Sequence, residues 1–252
     1  MANPVARVLA GEALWPPPIW LMRQAGRYLP EYRKVRSQAG DFISLCTTPA
    51  LAAEVTLQPV RRYGFDAGIL FSDILMLPWA LGWGLAFQEG EGPVLPRFED
   101  ERDLQRLDPV RAPAAIAPIL ETVERCRAGL PDSVDLIGFA GSPFTVACYM
   151  VEGGGSKEFA RIRGLAHGRP SVLQGLIDRL TASTVDYLSA QVAAGAQVLM
   201  LFDSWAGVLS PLLFRRHVIE PTRRIVAALR ERHPAVPVVG FPRLAGVQIG
   251  AY

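Results

Sequence analysis

Four stretches of this chain are apolar almost without a break, and each closes on small or polar residues. They are Asp66-Ala-Gly-Ile-Leu-Phe71 into Ser72-Asp73, Val134-Asp-Leu-Ile-Gly-Phe139 into Ala140-Gly141-Ser142-Pro143, Gln197-Val-Leu-Met-Leu-Phe202 into Asp203-Ser204, and Val236-Pro-Val-Val-Gly-Phe241. Runs of this kind suit strands buried on both faces, the condition of a parallel sheet covered by helices. A shorter run, Ile19-Trp-Leu-Met22, follows Pro16-Pro17-Pro18 and reads as a further strand entered from a stiff lead-in.

Helical patterns separate these runs. Thr48 and Pro49 form an N-cap and N1 pair for a helix through Leu51, Val55 and Leu57 to Gly64, with Pro59 expected to kink it. Pro113 to Cys126 has helical apolar spacing and is stopped by Gly129 and Pro131. A short helix leads from Ser142-Pro143 to Glu152, and Gly153-Gly154-Gly155 is expected to act as a hinge. Ser171 is the expected cap of a long helix ending at Gly195, and Ser210-Pro211 opens another through Leu229. Leu85 to Leu95 reads as a hairpin around a Gly-rich turn, inserted near the mouth of a site. Strand and helix in alternation give an α/β class. Polar residues gather past the strand ends, and no G-x-G-x-x-G follows any strand, so a (β/α) barrel is favoured over a doubly wound sheet.

The length of 252 residues supports one large core, and the chain is read as a single domain over residues 1–252. The 26 Lys and Arg offset 24 Asp and Glu to leave +2, and lysine occurs only at Lys34 and Lys157. No basic block is present, so nucleic acid is not an expected partner. Cys46, Cys126 and Cys148 have no C-x-x-C spacing and read as reduced core thiols, which points to the cytoplasm. His167, His217 and His233 fall in no metal-binding pattern, and no metal or cofactor is expected. No apolar run reaches the roughly 18 residues of a membrane span.

The chemistry-bearing residues cluster at strand ends. Arg23 and Arg27 flank Gln24, Ala25 and Gly26 just after the first run. As like charges they would mildly repel at i, i+4 on a helix, while two planar forks with a Gly between them suit an anionic ligand. An exposed basic turn is the competing reading. Asp73 is either a helix N-cap or a carboxylate at the rim of an apolar pocket facing a cationic or N–H-bearing ligand. Tyr149 is either a core ring or a ligand contact, and Ser204 either a cap or a ligand contact. No G-x-S-x-G or Ser-His-Asp order supports acyl transfer.

Met22-Arg-Gln-Ala-Gly-Arg-Tyr-Leu-Pro-Glu-Tyr-Arg33 and Gly138-Phe-Ala-Gly-Ser-Pro-Phe-Thr-Val-Ala-Cys-Tyr-Met-Val-Glu-Gly153 resemble the two signatures of the uroporphyrinogen decarboxylase family. Phe71-Ser-Asp-Ile-Leu75 and Phe202-Asp-Ser-Trp-Ala-Gly207 are similar to two further segments of that family, in the same order. The resemblance implies a cofactor-free (β/α)8 TIM-barrel lyase of haem biosynthesis, homodimeric. Its activity would be loss of the four acetate carboxylates of uroporphyrinogen III to give coproporphyrinogen III. By the same resemblance Asp73 accepts the pyrrole N–H groups, and Arg23 and Arg27 bind substrate acids, one of them with a part in proton delivery. Gln24, Ala25 and Gly26 shape that loop, and Tyr149 and Ser204 touch the macrocycle or its acids.

The alternatives are a catalytically inactive relic and a corrinoid-linked methyltransferase of the same superfamily. The latter would need soft metal ligands where Asp203-Ser204-Trp205 stands. An eight-stranded barrel takes about 250 residues without insertions, whereas five strands are expected here, near residues 20, 70, 137, 200 and 239. The family carries three more strands and a late site histidine, and Leu244 stands where it usually has Gly. The chain is therefore expected to be the first five strands of a truncated barrel, with exposed strand edges, and not a competent enzyme by itself.

Overall fold

The computed structural model describes residues 3–22, 28–88 and 92–252. Within them the strands are β1 (Ala67–Ile69), β2 (Ala86–Gln88), β3 (Gly92–Val94), β4 (Asp135–Gly141), β5 (Val198–Asp203) and β6 (Val238–Pro242). The four apolar runs pair in parallel in the order β1-β4-β5-β6, and β2 and β3 form a separate antiparallel hairpin. Neighbours in the parallel sheet follow chain order with no reversal. A doubly wound sheet reverses at a switch point; winding in one direction is that of an α/β barrel-type fold.

The helices between the strands pack against one another in sequence. Pro49–Tyr63 lies on Ala112–Gly129, and Pro170–Ala193 lies on Glu220–Arg232. Between helices and sheet, Leu136, Leu199, Leu201, Leu173, Leu176 and Ile177 are wholly buried and belong to one continuous core. Cys46, Cys126 and Cys148 are buried free thiols, as their spacing suggests.

Several sequence expectations need correction. Ile19–Met22 forms no strand. Ile19 C=O accepts the Asp66 N–H at 3.0 Å, but the Ile19 N–H donates to the Asp66 carboxylate at 2.7 Å rather than to backbone. A side chain in place of a carbonyl ends the ladder after one residue. Thr48 stands at the N-cap position with Pro49 in the first turn, as expected, but its hydroxyl donates back to Ser44 C=O at 2.7 Å instead of accepting a helix N–H. The long helix starts at Pro170 with Arg169 at the cap position, two residues before the expected Ser171, since Pro suits the first turn. The segment opened by Ser210-Pro211 is a helix of Pro211–Phe214, a π-helical turn over Arg215–Ile219, and then Glu220–Arg232.

The glycines after Glu152 are a docking point and not a bare hinge. Gly153 C=O accepts the Leu95 N–H at 3.1 Å, and Gly154 bridges to Val94. A Cβ on Gly154 would lie 2.9 Å from Pro93 O, so only Gly lets the returning strand of the hairpin come this close. The hairpin is thereby fixed beside the end of the helix that carries Tyr149.

β1 stops at Ile69, opposite Ile137, while β4 runs on to Gly141. The amide of Gln191 takes up the peptide groups of Phe139 instead: the Phe139 N–H donates to Oε1 at 2.9 Å, and Nε2 donates to Phe139 C=O at 3.0 Å. Gln191 is wholly buried. Gln191→Leu keeps the volume and strands both peptide groups, at a cost of about 2–4 kcal/mol. The urea midpoint should fall accordingly with the slope unchanged. A loss under about 0.5 kcal/mol, the range of surface substitutions, would show that these groups do not depend on Gln191.

Candidate active site

A cleft of about 1180 Å³ opens at the C-terminal ends of the parallel strands. Its apolar wall is made by aromatic side chains near successive strand ends. Phe139 of β4 meets Phe202 of β5 edge-on at 5.4 Å, and Phe202 meets Phe241 of β6 at 6.1 Å. The register explains the row: Phe202 is paired with Phe241, and with Gly141, two residues beyond Phe139, so all three rings share a face. Phe71 follows β1 and packs on Tyr32 and Phe42. Its N–H donates to the buried Thr56 hydroxyl at 2.9 Å, which ties the exit of β1 to the helix Pro49–Tyr63.

Asp73 lies two residues beyond Phe71 and lines the cleft. One carboxylate oxygen accepts the Leu75 N–H at 2.8 Å. That bond closes a turn and is not the helix cap expected of Asp73, because the helix that follows starts at Met76 with Leu75 at its N-cap position and no side-chain cap. Burial pushes its carboxyl up to about 6, against the downward pull of that one N–H. Tyr149 comes from the last turn of the helix Pro143–Glu152, and its ring packs against Trp205. Its hydroxyl is raised, first by burial and then by the nearby Asp73 carboxylate, while Arg243 pulls it down. Ser204 follows β5 and also lines the cleft. Asp73, Tyr149 and Ser204 therefore come together. Arg23, Gln24, Ala25, Gly26 and Arg27 lie outside the described residues; Met22 and Tyr28, on either side of them, line the cleft.

Three features escaped the sequence reading. The aromatic row was legible in principle, because Phe71, Phe139, Phe202 and Phe241 each end an apolar run. Arg33 and Arg243 line the cleft as well. Asp203 is wholly buried beneath it: one oxygen accepts the Thr145 hydroxyl at 2.6 Å, the other has no partner among the described residues, and Thr145 in turn accepts the Trp205 N–H at 3.0 Å. No local signal distinguishes Asp203 from a cap.

Burial pushes the Asp203 carboxyl up to about 7. The native state then holds its proton longer than the unfolded chain does. Raising the pH from about 4 towards 7 therefore removes stability, by up to about 1.4 kcal/mol per pH unit, and above that window the effect is complete. Asp203→Asn still accepts from Thr145 and carries no charge. Between pH 6 and 7, above the value for Asp73, melting temperatures of the wild type should fall while those of Asp203→Asn stay nearly level. Parallel curves would contradict an ionising Asp203.

The uroporphyrinogen decarboxylase (URO-D) family model matches residues 2–251. The chain belongs to the uroporphyrinogen decarboxylase family. Relatives bearing that name include one from Granulibacter bethesdensis, 64% identical over all of this chain and 74% of its own length. One from Acidiphilium cryptum is 62% identical over 99% of this chain and 70% of its own length, and one from Gluconobacter oxydans is 57% identical over 100% and 71%. Among solved structures, a methyltransferase from Methanosarcina mazei aligns with a TM-score of 0.67 at 20% identity, over 89% of this chain and 65% of that one. At that identity the likeness is one of fold alone. Among the described residues of this family member, no helix is long and apolar enough to cross a membrane.

Proposed function

We propose that the cleft is the substrate site of a uroporphyrinogen decarboxylase, which converts the four acetate side chains of uroporphyrinogen III to methyl groups and yields coproporphyrinogen III. The observation that carries the reading is Asp73, a carboxylate raised to about 6 in a cleft walled by aromatic rings. Protonation of a pyrrole ring carbon creates a cation. The bond between the acetate CH2 and its carboxylate then breaks, carbon dioxide leaves, and the electron pair flows into the ring. A proton taken up at the CH2 carbon and one lost from the ring carbon complete each round. Asp73, fixed through Leu75 N–H, accepts pyrrole N–H groups and stabilises the ring cation in a dry setting where such a charge counts most.

Arg23 and Arg27 take the roles of acid-binding groups, one of them with a part in proton delivery. Gln24, Ala25 and Gly26 shape their loop, and Tyr149 and Ser204 contact the macrocycle or its acids. No cofactor is assigned, and the assembly is a homodimer. The parallel strands and the Ile19–Met22 segment occupy the first five places of an eight-stranded barrel.

The methyltransferase reading has less support. No group of three His, Cys, Asp or Glu residues among the described ones converges to hold a metal, and none of the three cysteines lines the cleft. The test is a fluorescence-quenching titration of the chain with a porphyrin bearing eight carboxylates and, separately, with a nucleoside triphosphate. Saturable binding of the porphyrin alone supports the proposal. Comparable nucleotide affinity, or no porphyrin binding, contradicts it.

A further inference from the structure

Arg243 follows the last residue of β6, at the far edge of the parallel sheet from Asp73. Three strand intervals separate the two edges, about 14 Å along the sheet. The backbone of Arg243 is stapled in place. Its N–H donates to Asp203 C=O at 3.0 Å, and its C=O accepts the Gly207 N–H at 3.2 Å. Gly207 is required there, because a Cβ would lie 2.1 Å from Leu244 O. The Arg243 side chain lines the cleft and is exposed to it.

Among the described residues no carboxylate pairs with this guanidinium and no hydrogen bond engages it. Some arginines on the outer surface are paired, as Arg62 is with Glu31 and Arg232 with Asp186; what sets Arg243 apart is its place in the cleft. The Asp203 carboxylate, whose backbone holds the Arg243 N–H, is wholly buried and bonded to Thr145, and no ion pair joins it to the Arg243 guanidinium. A cation held at a fixed backbone position, facing a cleft with aromatic walls and unpaired among the described residues, suits an anionic ligand.

We infer that Arg243 is a substrate-binding residue that holds a carboxylate arm of the tetrapyrrole at the β6 edge, while Asp73 engages the macrocycle from the β1 edge. The inference rests on the function proposed above and adds a carboxylate contact that no described acid or donor of the protein fills.

The experiment titrates the wild type, Arg243→Met and Arg243→Lys with uroporphyrin, which carries eight carboxylates, and with a porphyrin carrying two. Thermal melts check that the exposed substitution leaves the fold intact. Arg243→Met should weaken uroporphyrin binding about tenfold or more and flatten its dependence on salt. Arg243→Lys should recover part of the loss, and the dicarboxylate porphyrin should be affected less. If Arg243→Met binds uroporphyrin within twofold of the wild type, Arg243 is a solvated surface cation and the inference falls while the proposed function stands. If the wild type does not bind uroporphyrin, both fall. Equal losses for both porphyrins would show a general distortion of the cleft and also overturn the carboxylate contact.

Discussion

Replacing Asp73 by Asn should lower decarboxylation by several orders of magnitude and leave the fold intact. Asn keeps the oxygen that accepts the Leu75 N–H, so the turn after β1 is still closed. What it removes is negative charge at the place where the ring cation develops, and removal of a single group of that kind costs about 10²–10³ or more in rate. Asp73→Glu should also be impaired, because one methylene displaces the carboxylate by about an ångström in a site that depends on preorganisation. The wild-type rate should rise with pH through about 6, where the Asp73 carboxyl ionises, and be level above it. These rates are to be measured with residues 1–252 placed in a protein of the relatives' full length, of which the chain spans 70–74%. Near-normal turnover in Asp73→Asn would leave the residue with its turn bond to Leu75 alone.

The second large effect is on affinity. Arg23→Ala with Arg27→Ala should remove most of the binding of a porphyrin polyacid, since each charged hydrogen bond is worth about 1.5–3 kcal/mol. Together the two changes amount to a factor of roughly 10²–10⁴ in Kd. The loss should be largest at low salt and smaller as salt screens the remaining charges. A double variant that binds within a few fold of the wild type would assign the carboxylates to other cations, with Arg33 and Arg243 the ones that line the cleft.

The central strands at Asp135 and Val198 were legible because burial on both faces demands unbroken apolar sequence, and that demand is local; those at Ala67 and Val238 share the apolar run although they lie at the sheet edges, with β6 only partly buried. Ile19–Met22 is apolar too, yet Leu21 and Met22 are exposed and pairing stops at Asp66. Composition does not reveal that a neighbouring carboxylate will take the place of a carbonyl. The helix start at Thr48-Pro49 was legible, whereas the one expected at Ser171 falls at Pro170, because Pro sets the first turn.

In the site, Asp73 and Ser204 stood out as polar residues closing apolar runs, and Tyr149 as a ring on the short helix after Ser142 that could be core or contact. Arg243 and the Phe139–Phe202–Phe241 row depend on strand order and register, which pair residues far apart in sequence. Asp203 depends on a hydrogen bond to Thr145 across a separation that no motif encodes.

The most direct test of the account is a crystal structure of the chain with coproporphyrinogen III, the product of the proposed reaction. The account predicts the macrocycle in the cleft against Phe139, Phe202 and Phe241, with its pyrrole N–H groups on the Asp73 carboxylate and its acid arms on arginines. A macrocycle bound elsewhere, or one in the cleft whose pyrrole N–H groups leave Asp73 untouched, would contradict it.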